Sequence, residues 1–341
     1  MNEISRVDGR DSAAANRGRT AERPQDIPAA GWWDVTWRVL KRLGTDNVTL
    51  VAGGLAMYAL LSVFPGLTAA VSVYGLFASP ADVMQHMKMF AGVLPPGVLQ
   101  IFNTQLQTLV SHQQSTLSIA AALGVVLALW SARSAMSALM TAANIAYGER
   151  EKRNFFVQVL ISLVLTLGAI LGFLALLVFG VAIPVALKIL GTSTWAQWIL
   201  DALQWILLWL FAVLGLAFVY RYAPAREPAR WRWVTWGSGI AATLWLAASG
   251  LFAFYVKTFA DYGKTYGALG GVVTLLMWFY ISGILVVLGA EINAEMERQT
   301  KKDTTGGPPE PLGRRGAYAA DTVGPSANER TSTEERGIQG K

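Results

Sequence analysis

Six apolar runs separated by short polar connections set the pattern of this chain. The last is the most regular. Residues 268–290 carry no charge, and at ~1.5 Å per residue they are long enough to cross a bilayer core of about 30 Å. Leu275, Leu276, Met277, Trp278, Phe279 and Tyr280 stand in a row, so the helix they predict is apolar on every side and has no water-facing stripe. The runs at residues 48–77, 117–147, 155–186, 195–220 and 234–255 read the same way. Pro65 lies inside the first of these and Pro184 near the far end of the third. Each removes a backbone donor and marks a helix kink. Ser62 and Tyr58, one and two turns before Pro65, are placed to satisfy freed backbone groups or to line a cavity.

Two stretches are amphipathic rather than apolar. Residues 31–43 put Asp34, Arg38, Lys41 and Arg42 on one side of a helix and Trp33, Trp37 and Leu40 on another. Two placements fit: a helix lying in the headgroup layer, or one packed on the bundle's cytoplasmic end. Residues 78–115 are polar enough to leave the membrane. Val83, Met87, Phe90 and Leu94 recur there at helical spacing, as do Phe102, Leu106, Leu109 and Val110 after Pro95 and Pro96, so two amphipathic helices are expected in the first outer loop. Residues 1–30 and 299–341 are polar, and their low hydrophobicity predicts disordered tails. The fold class is therefore all-α and polytopic, with six transmembrane helices over residues 31–298.

Composition agrees with that class. Of 341 residues, 53% are hydrophobic and 15% charged, with mean hydropathy +0.40, values a single soluble domain rarely combines. The absence of cysteine excludes disulfides, thiolate metal sites and cysteine nucleophiles. No apolar core marks the first 30 residues as a signal peptide. A net charge of +6 points to nucleic acid or to an anionic membrane surface, and its distribution favours the membrane. Lys and Arg number eight before the first span, then one, three, one, four, two and eight in the successive connections. High and low alternate, which predicts cytoplasmic termini and an inner-membrane protein with lipids, not nucleic acid, as partners.

With the spans placed, the chain resembles the YihY/BrkB family of bacterial inner-membrane proteins. The resemblance rests on GGLAMYALLSVFPGL in the first span and on WSARSAMSALMTAANIAYGE. It continues at YRYAPAREPARWRWVTWGSGIAATLWLAASGLFAFYV and most specifically at YGALGGVVTLLMWFYISGILVVLGAEINAEME. It covers roughly residues 35–297, with Gly53 where the family more often has alanine. The resemblance implies a six-helix bundle and export or translocation of a lipid-like or other solute. Family members have also been named ribonuclease BN. Metal-dependent cleavage of RNA needs clustered His, Asp or Glu ligands, and both histidines of this chain, His86 and His112, fall in the outer loop.

The candidate site residues are the polar groups within the membrane, where a charge costs about 2.5–3.5 kcal/mol on insertion scales. Arg133 lies among Ser131, Ala132, Ser134, Ala135, Ser137 and Ala138, small residues that let helices approach closely. It is suited to an anionic headgroup or phosphate, to tying helices together, or to snorkelling. Glu291 and Asn293 end the sixth span, at a depth where Glu291 could pair with Arg133, pair with Arg221 or face water. Asn144 is expected to hydrogen-bond between helices. One reading is a transporter whose polar cavity, formed by Arg133, Glu291, Asn293, Asn144, Tyr58 and Ser62, takes a lipid-like or anionic solute. The other is a non-transporting scaffold that recruits partners through its amphipathic helices and tails. No nucleophile–base–orienter set favours an enzyme, and no metal or cofactor is expected.

Overall fold

The computed structural model describes residues 17–75, 114–177, 194–259 and 268–327. The outer-loop amphipathic helices and Pro184 lie outside them. After a 3-10 turn at Pro24–Asp26, the described elements are α1 (Ala29–Thr45), α2 (Val48–Gly75), α3 (Gln114–Tyr147), α4 (Phe155–Leu177), α5 (Thr194–Tyr222), α6 (Trp231–Phe259), α7 (Ala268–Glu297) and the short α8 (Tyr318–Asp321). The one departure from helix and loop among these residues is an isolated antiparallel bridge between Ala229 and Thr305. A bilayer interior offers no partner to a free N–H or C=O, so helices that satisfy their own backbone are the expected solution.

The long helices form a ring in the order α2, α7, α6, α5, α4, α3, closing back on α2, and α7 also touches α3. α3 to α7 are long and apolar enough to cross a membrane, and α1 with α2, bent by 66° between them, bring the number to six if that pair is one span. Their surface is inverted relative to a soluble bundle. Leu160 and Leu171 on α4, Trp205 on α5 and Leu251 and Phe254 on α6 are exposed. Ala142, Ala146, Ala217, Ala290 and Ala294 fill the interior beside Tyr147 and Tyr220. Lipid is as apolar as leucine, so burying leucine gains little there, and small residues that bring backbones close decide the packing.

α6 and α7 approach each other closely. A Cβ on Gly237 would collide with the carbonyl oxygen of Gly289 and the Oδ1 of Asn293. The Tyr220 hydroxyl crosses from α5 and donates to the Val286 carbonyl at 2.7 Å. Tyr220 is therefore a buried strut between α5 and α7. Trp233 is likewise buried, against Met296, Val35 and Val39.

α1 takes the second of its two expected placements, with its polarity reversed. Asp34, Val35, Arg38 and Val39 are buried against the bundle, while Trp33 and Leu40 are exposed. The charges face inward because partners wait there on α7 and on the tails. Those tails overturn the expectation of disorder wherever they are described. Residues 17–28 and 299–327 pack on one end of the helix bundle, with Gln299, Thr300, Thr304, Ala319 and Ala320 buried. Little apolar area is available to them, so hydrogen bonds hold them instead. The Arg315 guanidinium alone donates to the carbonyls of Lys301, Lys302, Glu310 and Ala320.

Gly237→Val is expected to destabilise the protein by about 1–3 kcal/mol, because the collision is with backbone that cannot give way. Gly239→Ala on the same helix, where a Cβ meets nothing within 4 Å, should be neutral. Thermal unfolding of both variants in mild detergent measures the difference.

Candidate functional site

Polar chemistry gathers at two levels of the bundle. The upper level is a cavity of about 440 Å³ between α2 and α3. On α2 its wall is Val51, Gly54, Leu55 and Tyr58; on α3 it includes Arg133, Ser134, Ser137 and Thr141. Positions three and four apart share a helix face, and both sets repeat at that spacing. The cavity exists because Gly54 and the small residues of α3 leave space where larger side chains would close it. Tyr58 and Thr141 are exposed at its edge.

Arg133 is buried in that wall. Its Nε donates to Ser162 Oγ of α4 at 3.1 Å, and its guanidinium carbon lies 5.1 Å from the Trp130 ring centroid. Ser162 is held in turn by its own bond to the Val159 carbonyl at 2.8 Å. Among the described residues the two Nη groups have no hydrogen-bond partner. The Ser134 and Thr141 hydroxyls donate to the carbonyls of Trp130 and Ser137, which leaves their lone pairs free.

The lower level is an acidic ladder on the C-terminal end of α7. Glu291, Glu295 and Glu297 are all fully buried. Glu291 Oε2 lies 3.3 Å from Arg42 Nη1. Glu295 takes Arg38, and also Arg298 at 2.6 Å. Glu297 takes Arg226 at 2.7 Å and the Thr304 hydroxyl at 2.6 Å. Asn293 sits between them, accepting from the Gly237 N–H at 2.9 Å and donating to the Val234 carbonyl at 3.1 Å.

The structure thus separates residues that depth alone had grouped. Glu291 is paired with Arg42 and not with Arg133, because α1 folds back under α2 and reaches α7 first. Tyr58 and Arg133 do share the cavity. Ser62 stands outside its lining and bonds to the Ala59 carbonyl at 2.7 Å; α2 continues through Pro65. Asn293 is an α6–α7 tie. Asn144 joins loops, not helices: it donates to Glu151 at 3.1 Å and accepts from the Ala225 N–H at 2.7 Å.

Reading the sequence missed Arg38, Arg42, Arg226, Glu295 and Glu297 as partners. One signal was available: α7 has 30 residues, about 45 Å at ~1.5 Å per residue, so its last three turns had to leave the bilayer core.

Two carboxyls at this level are held below the ordinary carboxylate range. A hydrogen bond from Arg153 does this for Glu151, against some desolvation. Desolvation opposes ionisation of Asp303, but backbone donors from Glu310 and Thr305, the Thr305 hydroxyl and nearby Arg315 outweigh it. At Arg226, desolvation works against the charge and Glu297 more than offsets it, so the guanidinium holds its proton more firmly than usual.

A ring of membrane-length helices closed on one side by buried ion pairs defines a polytopic α-helical membrane protein. Residues 39–312 match the family model described as virulence factor BrkB, and the chain belongs to that family. It is 34% identical to the ribonuclease-like protein YfkH of Bacillus subtilis (strain 168) over 252 residues, 72% of this chain and 89% of that protein. It is 30% identical to UPF0761 membrane protein VP0125 of Vibrio parahaemolyticus over 267 residues, 76% of this chain and 81% of the relative. A UPF0761 membrane protein of Tolumonas auensis is 28% identical over 266 residues. No solved structure matches the chain.

Arg226→Met strands Glu297 as a buried charge and should cost about 3–5 kcal/mol in unfolding experiments. The depressed carboxyls of Glu151 and Asp303 contribute stability above their ordinary values of 4.5 and 3.8, lost as pH falls through their folded values. Limited proteolysis should therefore cut residues 299–327 faster on acidification below roughly pH 4, with the helices cut last.

Proposed function

We propose that this BrkB-family protein is a multi-pass protein of the bacterial inner membrane, with both termini cytoplasmic, that moves a lipid-like anionic solute by way of the cavity between α2 and α3. The observation that carries this reading is Arg133: a buried guanidinium, fixed at Nε by Ser162, whose Nη groups lack protein partners among the described residues. An unpaired charge at this depth is costly. A phosphate or carboxylate headgroup accepts two N–H bonds from a guanidinium in its plane. The hydroxyls of Tyr58, Ser134, Ser137 and Thr141 supply further polar contacts, while Val51 and Leu55 suit the apolar part of an amphiphile.

The positive-inside distribution of Lys and Arg supports the orientation. YfkH carries a ribonuclease-like name, but metal-dependent hydrolysis needs a ligand set. No group of three His, Cys, Asp or Glu able to hold a metal occurs among the described residues. Solute movement is the reading the geometry favours over catalysis.

Native mass spectrometry of protein released from mild detergent tests this directly, with wild type beside Arg133→Ala and Gly54→Leu. Wild type should retain a defined anionic lipid. Arg133→Ala should lose it by removing the charge, and Gly54→Leu by filling the cavity, with both variants still folded. Identical bulk lipid on all three would make Arg133 purely structural.

A further inference from the structure

The turn between α5 and α6 carries four arginines, Arg221, Arg226, Arg230 and Arg232. Three have protein partners. Arg221 donates to the Ala229 carbonyl, Arg226 pairs with Glu297 at 2.7 Å, and the Nε of Arg230 donates to the Thr305 carbonyl at 2.8 Å. Arg232, in the first turn of α6, is half-buried and has no acceptor among the described residues, and its Nε is shut off from water. A donor left bare in this way is costly, so the site calls for an acceptor from outside the chain.

The helix face that Arg232 begins continues into a groove. Thr235, Trp236, Gly239, Ile240 and Thr243 follow it at three- and four-residue spacing and so share its side of α6. With Leu244, and with Trp209 of α5 as the opposite wall, they line a groove of about 440 Å³. Trp209, Trp236 and Leu244 are all exposed, so the groove lies open on the outer surface of the bundle. Gly239 keeps its floor clear, since a Cβ there would meet nothing within 4 Å. Trp32 of α1 leans on Trp236, with 5.7 Å between ring centroids, and braces that wall. From Thr235 to Leu244 the groove runs about 13 Å at ~1.5 Å per residue. That is close to half of a ~30 Å bilayer core, the depth of one leaflet.

The groove suits hydrocarbon, because its own polar atoms are already used. The Trp209 indole N–H donates to Thr243 Oγ1 at 3.0 Å, and that hydroxyl donates to the Gly239 carbonyl at 2.8 Å. The Thr235 hydroxyl donates to the Arg232 carbonyl at 3.3 Å. A helix of a second copy is a poor occupant: helices meet in membranes through small residues, and two tryptophans hold a neighbouring backbone away here. A flexible acyl chain can follow such walls. Long side chains on a helix lean toward its N-terminus. The Arg232 guanidinium is thereby turned toward the end of α6 that the exposed Trp231 and Trp236 mark as the headgroup layer. We infer that this face binds one anionic phospholipid of the surrounding bilayer: an acyl chain lies in the groove between Trp209 and Trp236, and the phosphate accepts from Arg232. The phosphate supplies the acceptor that the protein lacks there. The site is separate from the cavity beside Arg133 and does not depend on what that cavity holds.

Photo-crosslinking of the full-length protein in phosphatidylethanolamine nanodiscs tests the proposal. The probe is a small share of phosphatidylglycerol, or of phosphatidylethanolamine, with a diazirine in its acyl tail. Peptide mapping should place the phosphatidylglycerol adducts on Trp209 and residues 235–244, several-fold above the exposed face of α4. Tail-labelled phosphatidylethanolamine should show no such preference. Arg232→Gln should lower phosphatidylglycerol labelling of the groove roughly tenfold, the loss of one charge-assisted hydrogen bond. Gly239→Leu should lower it by filling the groove, and its Cβ clashes with nothing. Arg133→Ala should leave it unchanged, which separates this site from the cavity. Uniform labelling of the lipid-facing surface in wild type overturns the proposal by itself, as does equal labelling of the groove by both lipids. So does a groove signal that persists in Arg232→Gln or is abolished in folded Arg133→Ala. A wild-type dimer in native mass spectrometry that Gly239→Leu splits would give the groove to a second copy and overturn it too.

Discussion

The carboxylates on the last turns of α7 are the constraint on which the rest of this structure depends. Glu291, Glu295 and Glu297 have no access to water, and a buried carboxylate is tolerable only with a cation or donor against it. Each draws in a different part of the chain: Glu291 the end of α1, Glu295 its middle and the start of the C-terminal tail, Glu297 the connection between α5 and α6. Asn293 fastens α6 from the same helix. This end of the bundle is therefore a cap assembled around one helix end. Ion pairs of this kind are weak evidence for net stability, since apolar replacements can be as stable. They fix which segments meet and in what register.

That division of labour explains why the two polar levels differ. In the cap the buried carboxylates of α7 meet arginines, and Arg315 alone donates to four carbonyls. In the membrane level Arg133 is held by one serine and one indole ring, next to empty volume. A densely ion-paired cap beneath an open polar cavity is the arrangement expected of a scaffold that supports a binding site.

Much of the helical plan was legible in the sequence, because a membrane leaves few alternatives. Uncharged runs of sufficient length must be helices, and the boundaries at Val48, Tyr147, Phe155 and Ala268 follow from where the charges and turns begin. Arg133 was legible as an exception to that rule, and it does line a cavity. The cap was not legible. Residues 299–327 are polar and rich in glycine and proline, a composition that signals disorder when apolar burial is the sole source of order considered. Here order comes from hydrogen bonds to distant carbonyls, and composition has no term for partners so far away in sequence. The same omission hid Arg38 and Arg42, whose helix displays an ordinary amphipathic pattern with its charged face turned inward.

The plaiting of the two tails has a consequence for biosynthesis. Arg19 donates to the carbonyls of Arg298, Gln299 and Gly324 across separations of 279 to 305 residues. The first described segment of the chain thus finds its partners only when the final helix has left the ribosome. Until α7 is made, Arg38 and Arg42 of α1 lack Glu295 and Glu291 as partners, and the earlier helices lack this fastening. Domains that fold N-terminal first can complete themselves during synthesis. This protein is closed by its last segment, so a ribosome that stops short of α7 releases a set of inserted helices with no cap to hold them.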